Sequence, residues 1–159
     1  KQTVQGAADD SAWARGQAWG LSGYATMARL SGEKRYLERA RPIAKFAMNH
    51  PRMPADGVPY WDFDAPGIPD APRDASAAAV MAWGLLQLSD LVPADEAAQY
   101  RAFAEKQLRS LASPSYRAKL HENGNFLIMH CVGHKPAGTR LTEPPGLTKL
   151  EMELKGSGT

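Results

Sequence analysis

The chain has 159 residues, of which 43% are hydrophobic and 23% are charged, and its formal net charge is +2. This length and composition are typical of one globular domain with its own core. Basic and acidic residues are mixed along the chain, which argues against a nucleic-acid-binding or membrane-surface protein. A single cysteine excludes an internal disulfide, and no apolar run approaches the roughly 20 residues of a membrane span.

The first residues, Lys1 to Val4, include no initiator methionine and no signal-peptide pattern. We therefore expect the chain to be an internal part of a longer protein. We expect that protein to reside in the cytoplasm or the periplasm.

Two helices are predicted in the first third of the chain. Acidic and hydroxyl side chains at residues 9–11 are typical of a helix start, because they accept hydrogen bonds from free backbone N–H groups. The proline-free stretch after them predicts a helix over residues 11–30, with a stop at Gly32. An apolar stripe at helical spacing predicts a second helix over residues 33–49. Pro42 lies in its middle, where the helix should either kink or restart.

A proline-rich loop is predicted over residues 51–73, and it contains three aromatic residues close together. Long ordered loops often carry function. Asp74 then predicts the N-cap of a third helix over residues 75–91, whose apolar residues on nearly every face indicate burial on most sides. A fourth, amphipathic helix is predicted over residues 95–111. Its expected buried stripe comprises Ala97, Tyr100, Ala104, Leu108 and Leu111.

Buried and amphipathic helices therefore alternate in hairpins, which is typical of a two-layer array of inner and outer helices. Beyond Pro114 the pattern weakens, and the apolar run at residues 126–131 fits a helix or a strand equally well. We assign residues 1–146 to one domain and residues 147–159 to a divergent, frayed tail.

The segment from Gln5 to Trp19 gathers side chains suited to an acidic sugar. Arg15 offers a forked donor for a carboxylate, and Trp13 and Trp19 offer flat apolar faces for a pyranose ring. Gln5 can both donate and accept hydrogen bonds. Taken singly, a helical tryptophan is more often a core residue and an arginine more often a surface residue, so the interpretation depends on their combination at one helix start.

The motif Trp13-Ala-Arg-Gly-Gln-Ala-Trp19 resembles the signature of unsaturated glucuronyl hydrolases, glycoside hydrolase family 88. A sister family that acts on unsaturated rhamnogalacturonan fragments usually has Arg-Gly-Asn where this chain has Arg-Gly-Gln. Further blocks resemble the same family in the same order: Tyr60-Trp-Asp-Phe-Asp64, Pro72-Arg-Asp-Ala-Ser-Ala-Ala-Ala79, Asn125-Phe-Leu-Ile-Met-His130 and Gly133-His-Lys-Pro-Ala-Gly138.

The resemblance implies an all-α fold, in which residues 1–146 form the C-terminal part of a single (α/α)6 toroid of helical hairpins. It implies hydrolysis of oligosaccharides whose non-reducing end is the 4,5-unsaturated glucuronic acid left by lyases acting on glycosaminoglycans. An aspartic acid would protonate the C4=C5 vinyl ether and water would add at C5, which differs from ordinary displacement at the anomeric carbon. The family uses no metal or organic cofactor, and its partner is the unsaturated oligosaccharide, with neither nucleic acid nor membrane.

By the same resemblance, Gln5, Trp13, Arg15 and Trp19 would contact the unsaturated sugar, and Lys135 would meet the neighbouring sugar or its sulfate. The catalytic aspartates of the family match no residue here and are expected upstream of residue 1, so the isolated chain should be inactive. Two other classes stay open: a carbohydrate-binding module without the chemistry, and a helical-repeat interaction protein, against which the absence of a fixed period argues.

Overall fold

The computed structural model describes residues 3–133, and this part of the chain is all-α, as the sequence predicts. It contains four α-helices: α1 (Ala14–Ser31), α2 (Lys34–Asn49), α3 (Ala75–Ser89) and α4 (Ala94–Ala112). The predicted tail at residues 147–159 lies outside the described residues.

The start of α1 differs from the sequence prediction. The helix begins at Ala14 with Trp13 as its N-cap, and no side chain caps it. The acidic and hydroxyl cluster at residues 9–11 instead stabilises the turn before the helix, where Asp9 accepts a hydrogen bond from the Thr3 backbone N–H. The predicted cap was therefore wrong, because these side chains bond to the preceding loop. The C-terminal stop is confirmed, since Gly32 adopts the left-handed conformation with φ 70°.

Pro42 neither breaks α2 nor restarts it. The helix runs without interruption from Lys34 to Asn49, with Pro42 inside it and exposed to solvent. The lost backbone hydrogen bond lies on the solvent side, where water can replace it. The buried alanines of the opposite face then keep the helix against its neighbours.

The helices α1 and α3 form an inner pair that runs in parallel. Thr26 Oγ1 donates to Gln87 Oε1 at 3.1 Å near one end, and Arg15 donates to Ser76 near the other. Both pairs are 61 residues apart in sequence, so the two helices are in register. Gly84 allows the close approach, since a Cβ atom there would lie 3.0 Å from the Ser22 Cα.

The outer helices α2 and α4 pack behind this pair, and the main core lies between the two layers. Fully buried side chains such as Leu21, Met81, Leu85 and Leu88 each contribute about 2 kcal/mol by leaving water. The two-layer arrangement of inner and outer helices is the one predicted from the sequence.

One predicted core residue of α4 is exposed. Leu108 retains 45% of its surface, whereas its neighbour Gln107 is fully buried and donates from Nε2 to the Gly57 carbonyl oxygen at 2.8 Å. Adjacent residues on a helix point about 100° apart. Since Gln107 faces the loop before α3, its neighbour Leu108 points toward solvent.

The loop before α3 supplies a second layer of core. Within it, Val58 and Phe63 are buried, and Tyr60 and Trp61 belong to a separate apolar cluster with Ala65, Ala71 and Val132. The apolar run at residues 126–131 forms neither helix nor strand. It is held by an isolated bridge between Arg117 and Ile128 and by a hydrogen bond from the Ala75 backbone N–H to the His130 carbonyl oxygen at 2.9 Å. No helix within residues 3–133 has both the length and the hydropathy to cross a membrane.

Candidate functional site

The N-terminal ends of α1 and α3 lie side by side, and Arg15 projects from the first turn of α1 at this edge. Its side chain keeps 16% of its accessible surface. Asp74 supplies the opposite charge, with Oδ2 placed 3.6 Å from Arg15 Nη1 and no accessible side-chain surface. The ion pair is thus closed on the acidic side and open to solvent only on the arginine side.

Arg15 joins α1 to three other parts of the chain through hydrogen bonds. Its Nη1 donates to Ser76 Oγ at 3.1 Å, at the start of α3. Its Nη2 donates to the Gly133 carbonyl oxygen at 2.5 Å and, more weakly, to Gln5 Oε1 at 3.4 Å. The segment before α1, the start of α3 and the loop after α4 therefore meet at one guanidinium group.

Asp74 uses its two oxygens for different purposes. Oδ1 caps α3 by accepting from the backbone N–H groups of Ser76 and Ala77 and from the Ser76 hydroxyl. Oδ2 faces Arg15 and has no hydrogen-bond partner among the groups of residues 3–133. The predicted N-cap is confirmed, and the same carboxylate also fixes the position of the guanidinium group.

Trp13 supports the site from the side. Its ring centroid lies 5.3 Å from Arg15 Cζ, in a cation–π arrangement. The indole is half-buried against the apolar cluster that contains Tyr60, Trp61 and Val132. Trp13 is the N-cap of α1, and its ring packs into the loop layer, so it is less exposed than Trp19.

Trp19 is an open aromatic surface, with 58% of its area exposed one turn beyond Arg15 on α1. Trp83 on α3 is equally exposed. Sequence reasoning placed Trp83 inside a helix buried on most sides, and only the layer arrangement shows that its face of α3 is free of α2 and α4. The inner helix pair thus presents two exposed indoles along one layer.

Gln5 and Lys135 are the two other residues that the sequence predicts to contact the sugar. Gln5 is half-buried and lies beside Arg15, as its hydrogen bond shows. Lys135 lies outside the described residues. Sequence reasoning did not anticipate Ser76 or the Gly133 carbonyl as partners of Arg15. The only available signal for Ser76 was its position two residues after the cap, in the first turn of α3.

Asp62 has a structural role in the loop before α3. It is fully buried, and its Oδ2 accepts from the Ala7 backbone N–H at 2.9 Å and from Ser11 Oγ at 2.8 Å. Its Oδ1 accepts from the Asp64 backbone N–H at 2.8 Å. The carboxylate thereby ties the segment before α1 to the loop before α3.

Burial raises the pKa of the Cys131 thiol, and the nearby charge of Asp74 raises this pKa further. The thiol therefore stays protonated near neutral pH and is a poor nucleophile. Within residues 3–133 no three acidic, histidine or cysteine side chains come together as a group that could hold a metal ion. The chemistry available at the site is that of a cation, an amide, hydroxyl and carbonyl groups, and aromatic faces.

Comparison with known proteins identifies relatives that act on unsaturated sugars. The chain is 42% identical over 144 residues to an unsaturated glucuronyl hydrolase of Formosa agariphila, a match that covers 91% of this chain and 35% of the relative. No protein-family model matches the chain.

Solved structures agree with this. An unsaturated glucuronyl hydrolase specific for heparin superposes with a TM-score of 0.85 at 47% identity, over 90% of this chain and 38% of that structure. A mutant of the Streptococcus agalactiae enzyme, complexed with dGlcA-GalNAc6S, superposes with a TM-score of 0.76 at 31% identity, over 86% of this chain and 36% of that structure. The helices α1 to α4 match part of the (α/α)6 barrel of these enzymes.

The chain spans little more than a third of the length of these relatives. Sequence identity and superposition nevertheless agree over nine-tenths of it. The chain is therefore a homologue of the unsaturated glucuronyl hydrolases of glycoside hydrolase family 88.

Proposed function

We propose that the protein carrying this chain removes 4,5-unsaturated glucuronic acid from the non-reducing end of oligosaccharides that lyases release from glycosaminoglycans. A carboxylic acid delivers a proton to C4 of the vinyl ether, and water adds at C5. The resulting hemiketal opens at the C5–O5 bond to a C5 ketone, which leaves a hemiacetal at C1. This hemiacetal collapses to an aldehyde and frees the next sugar. Each turnover consumes one water, and the general acid regains its proton from that water.

The residues described above supply the sugar-binding wall of this site. The observation that carries the proposal is the exposed edge of Arg15, a fixed cation with Trp19 open to solvent one turn further along the same helix. A uronic acid carries a carboxylate and a ring face, and these two side chains match both groups. Gln5, bonded to Arg15, is placed to meet a sugar hydroxyl.

Trp13 acts mainly by supporting Arg15, and we assign the neighbouring sugar or its sulfate to Lys135. The proton donor, in this proposal, belongs to a segment outside the 159 residues. Asp62 and Asp74 are poor candidates for it, because hydrogen bonds and an ion pair to the protein already engage them. The substrate class is supported by the relatives, one specific for heparin and one complexed with dGlcA-GalNAc6S.

The test is to titrate the chain with an unsaturated chondroitin disaccharide in an isothermal titration calorimeter. We expect binding that Arg15→Lys weakens about tenfold, since lysine lacks the planar fork that meets a carboxylate with two hydrogen bonds. Arg35→Lys is the matched control, because Arg35 is an exposed residue of α2 that pairs with Glu33. No binding by the parent chain, or equal effects of the two substitutions, would contradict the proposal.

The position of the proton donor is tested with the same disaccharide. We expect no loss of the ultraviolet absorbance of the C4=C5 bond when the chain alone is added. Turnover by the isolated chain would show that the acid lies within it. Binding without turnover by the full-length protein would favour the alternative, a carbohydrate-binding protein that lacks the chemistry, and preference for an unsaturated rhamnogalacturonan fragment would favour the sister activity.

A further inference from the structure

Gly16 lies in the first turn of α1, directly beneath the Trp13 indole. A Cβ atom at position 16 would lie 2.7 Å from Trp13 Cε3, and 3.4 Å from both Cδ2 and Cζ3 of the same ring. The indole therefore rests on the bare backbone of Gly16. Any side chain at this position would overlap the ring, since carbon atoms in contact stay about 3.5 Å or more apart.

Trp13 has little freedom to move away. On either side of it, the Ala14 backbone N–H donates to the Trp61 carbonyl oxygen at 3.1 Å and the Phe63 N–H donates to the Ala12 carbonyl oxygen at 3.0 Å. The ring itself packs against the apolar cluster of the loop layer. A methyl group at position 16 would thus tilt the indole within a fixed backbone instead of displacing the whole residue.

A tilt of the indole changes the surroundings of Arg15. The guanidinium carbon lies 5.3 Å from the Trp13 ring centroid, and the guanidinium hydrogen bonds to Ser76 and Gln5 are already 3.1 and 3.4 Å long. Hydrogen bonds of this length weaken quickly with small displacements. The ring is therefore one of the groups, together with Gly133 and Asp74, that set the position of the cation, and its own seat depends on the absence of a side chain at Gly16.

Helix propensity alone gives no reason for glycine here, because glycine is among the least favourable residues in a helix. Gly23 provides the contrast on the same helix: nothing lies within 4 Å of where its Cβ atom would be. Alanine would be accepted at position 23 and rejected at position 16, although both are helical and both are glycine.

From this geometry we propose that Gly16 is a positioning residue, which acts through Trp13 to hold Arg15 in the orientation that binds the carboxylate of the sugar. The binding part of this inference rests on the proposed function. The seating of Trp13 on Gly16 does not, so the two can be tested separately.

The test compares Gly16→Ala with Gly23→Ala in the 159-residue chain labelled with fluorotryptophan. The chain has four tryptophans, so the fluorine NMR spectrum should show four resonances, and Trp13→Phe assigns one of them. We expect Gly16→Ala to shift the Trp13 resonance and to weaken binding of the unsaturated chondroitin disaccharide about tenfold, the loss typical of one weakened hydrogen bond to a charged group. Gly23→Ala should change neither.

A Trp13 resonance that is unchanged in Gly16→Ala would overturn the inference, and so would a shifted resonance with unaltered affinity. If the parent chain does not bind the disaccharide, the proposed function fails while the NMR comparison still decides the seating of Trp13. If Gly16→Ala unfolds, the comparison is made in a Trp13→Ala background. There Gly16→Ala should raise the melting temperature, as Gly23→Ala does, and a fall would overturn the inference.

Discussion

At the scale of single residues, Asp62 stabilises the fold by accepting several hydrogen bonds on one carboxylate. Two N–H groups and one hydroxyl, from both sides of the site, donate to its buried carboxylate. Removing the carboxylate leaves these donors without their acceptor, and an unsatisfied donor costs more than a hydrogen bond contributes.

We expect Asp62→Ala to lower the free energy of unfolding by about 3 kcal/mol, measured by urea denaturation. Asp10→Ala, at an exposed position of the segment before α1, should change it by less than about 0.5 kcal/mol. Similar effects of both substitutions would mean that the carboxylate of Asp62 does not hold the two segments together.

His50 links stability to pH. Its ring lies 4.6 Å from the centroid of Phe63 and 5.0 Å from that of Phe46, and burial lowers its pKa below the ordinary 6.5, against a smaller opposing effect of Asp64. The folded state therefore binds the proton less well than the unfolded state. This contribution to stability is present above pH 6.5 and is lost as the pH falls through the lowered pKa.

We expect the parent chain to lose more stability than His50→Gln when the pH falls from about 7 to about 5, in urea denaturation at each pH. His121→Asn is the control, because His121 is exposed and asparagine tolerates its left-handed backbone, φ 65°. This variant should follow the parent. If the free energy of unfolding of His50→Gln fell with pH as steeply as that of the parent, His50 would not be the source of this pH dependence.

At the scale of elements, the contact between α1 and α3 depends on Gly84. A Cβ atom there would lie 2.9 Å from Leu21 Cγ and 3.0 Å from the backbone N and Cα atoms of Ser22. A helix backbone cannot yield as a flexible side chain does, so the two helices would have to separate. Since Arg15 and Ser76 meet at the end of this same pair, their hydrogen bond depends on the same spacing.

We expect Gly84→Ala to destabilise the chain by about 2 kcal/mol through overpacking, despite the better helix propensity of alanine. Thermal unfolding followed by circular dichroism measures this. Gly20→Ala is the control, because its Cβ atom would meet only Ile43 Cδ1 at an ordinary 3.5 Å, and it should be neutral or stabilising by up to about 1 kcal/mol. A Gly84→Ala variant as stable as Gly20→Ala would show that α1 and α3 can accept a methyl group at this contact, and would contradict the prediction.

For the molecule as a whole, the inner helix pair exposes a large apolar face. This inner apolar face comprises Trp19, Met27, Leu30, Trp83 and Leu86, with exposed fractions between 39% and 70%. Monomeric proteins rarely expose contiguous apolar patches larger than a few hundred Å2, and larger ones mark interaction surfaces. Burying it would release several kcal/mol at about 25 cal/mol per Å2.

We therefore expect the isolated 159-residue chain to self-associate, with a sedimentation coefficient that rises with concentration in velocity ultracentrifugation. Trp83→Gln and Leu30→Gln should shift it toward the monomer. Leu120→Gln should not, although Leu120 is 85% exposed, because it lies on the loop after α4 and outside the inner apolar face. A chain that stays monomeric at all concentrations would refute this expectation.

The sequence by itself determined the order and the approximate extent of the helices, the cap at Asp74 and the resemblance to the family, because these depend on hydrophobic periodicity, local hydrogen bonds and short motifs. Arg15 and Trp19 stood out for the same reason, as residue types suited to an acidic sugar close together in one motif. Local signals failed where a competing distant partner was stronger, as when the residues predicted to cap α1 bonded instead to Asp62 and to the preceding loop.

Only the tertiary structure decided which partners hold Arg15, where the Trp13 ring packs, and which face of α4 is buried. Each of these depends on contacts between segments far apart in sequence, such as Arg15 with Ser76 and Gln107 with Gly57. No periodicity encodes such pairings, because a helix pattern specifies an apolar face but not the polar group that fixes its rotation. The physical reason is that long-range hydrogen bonds and close backbone contacts form only once the layers have packed.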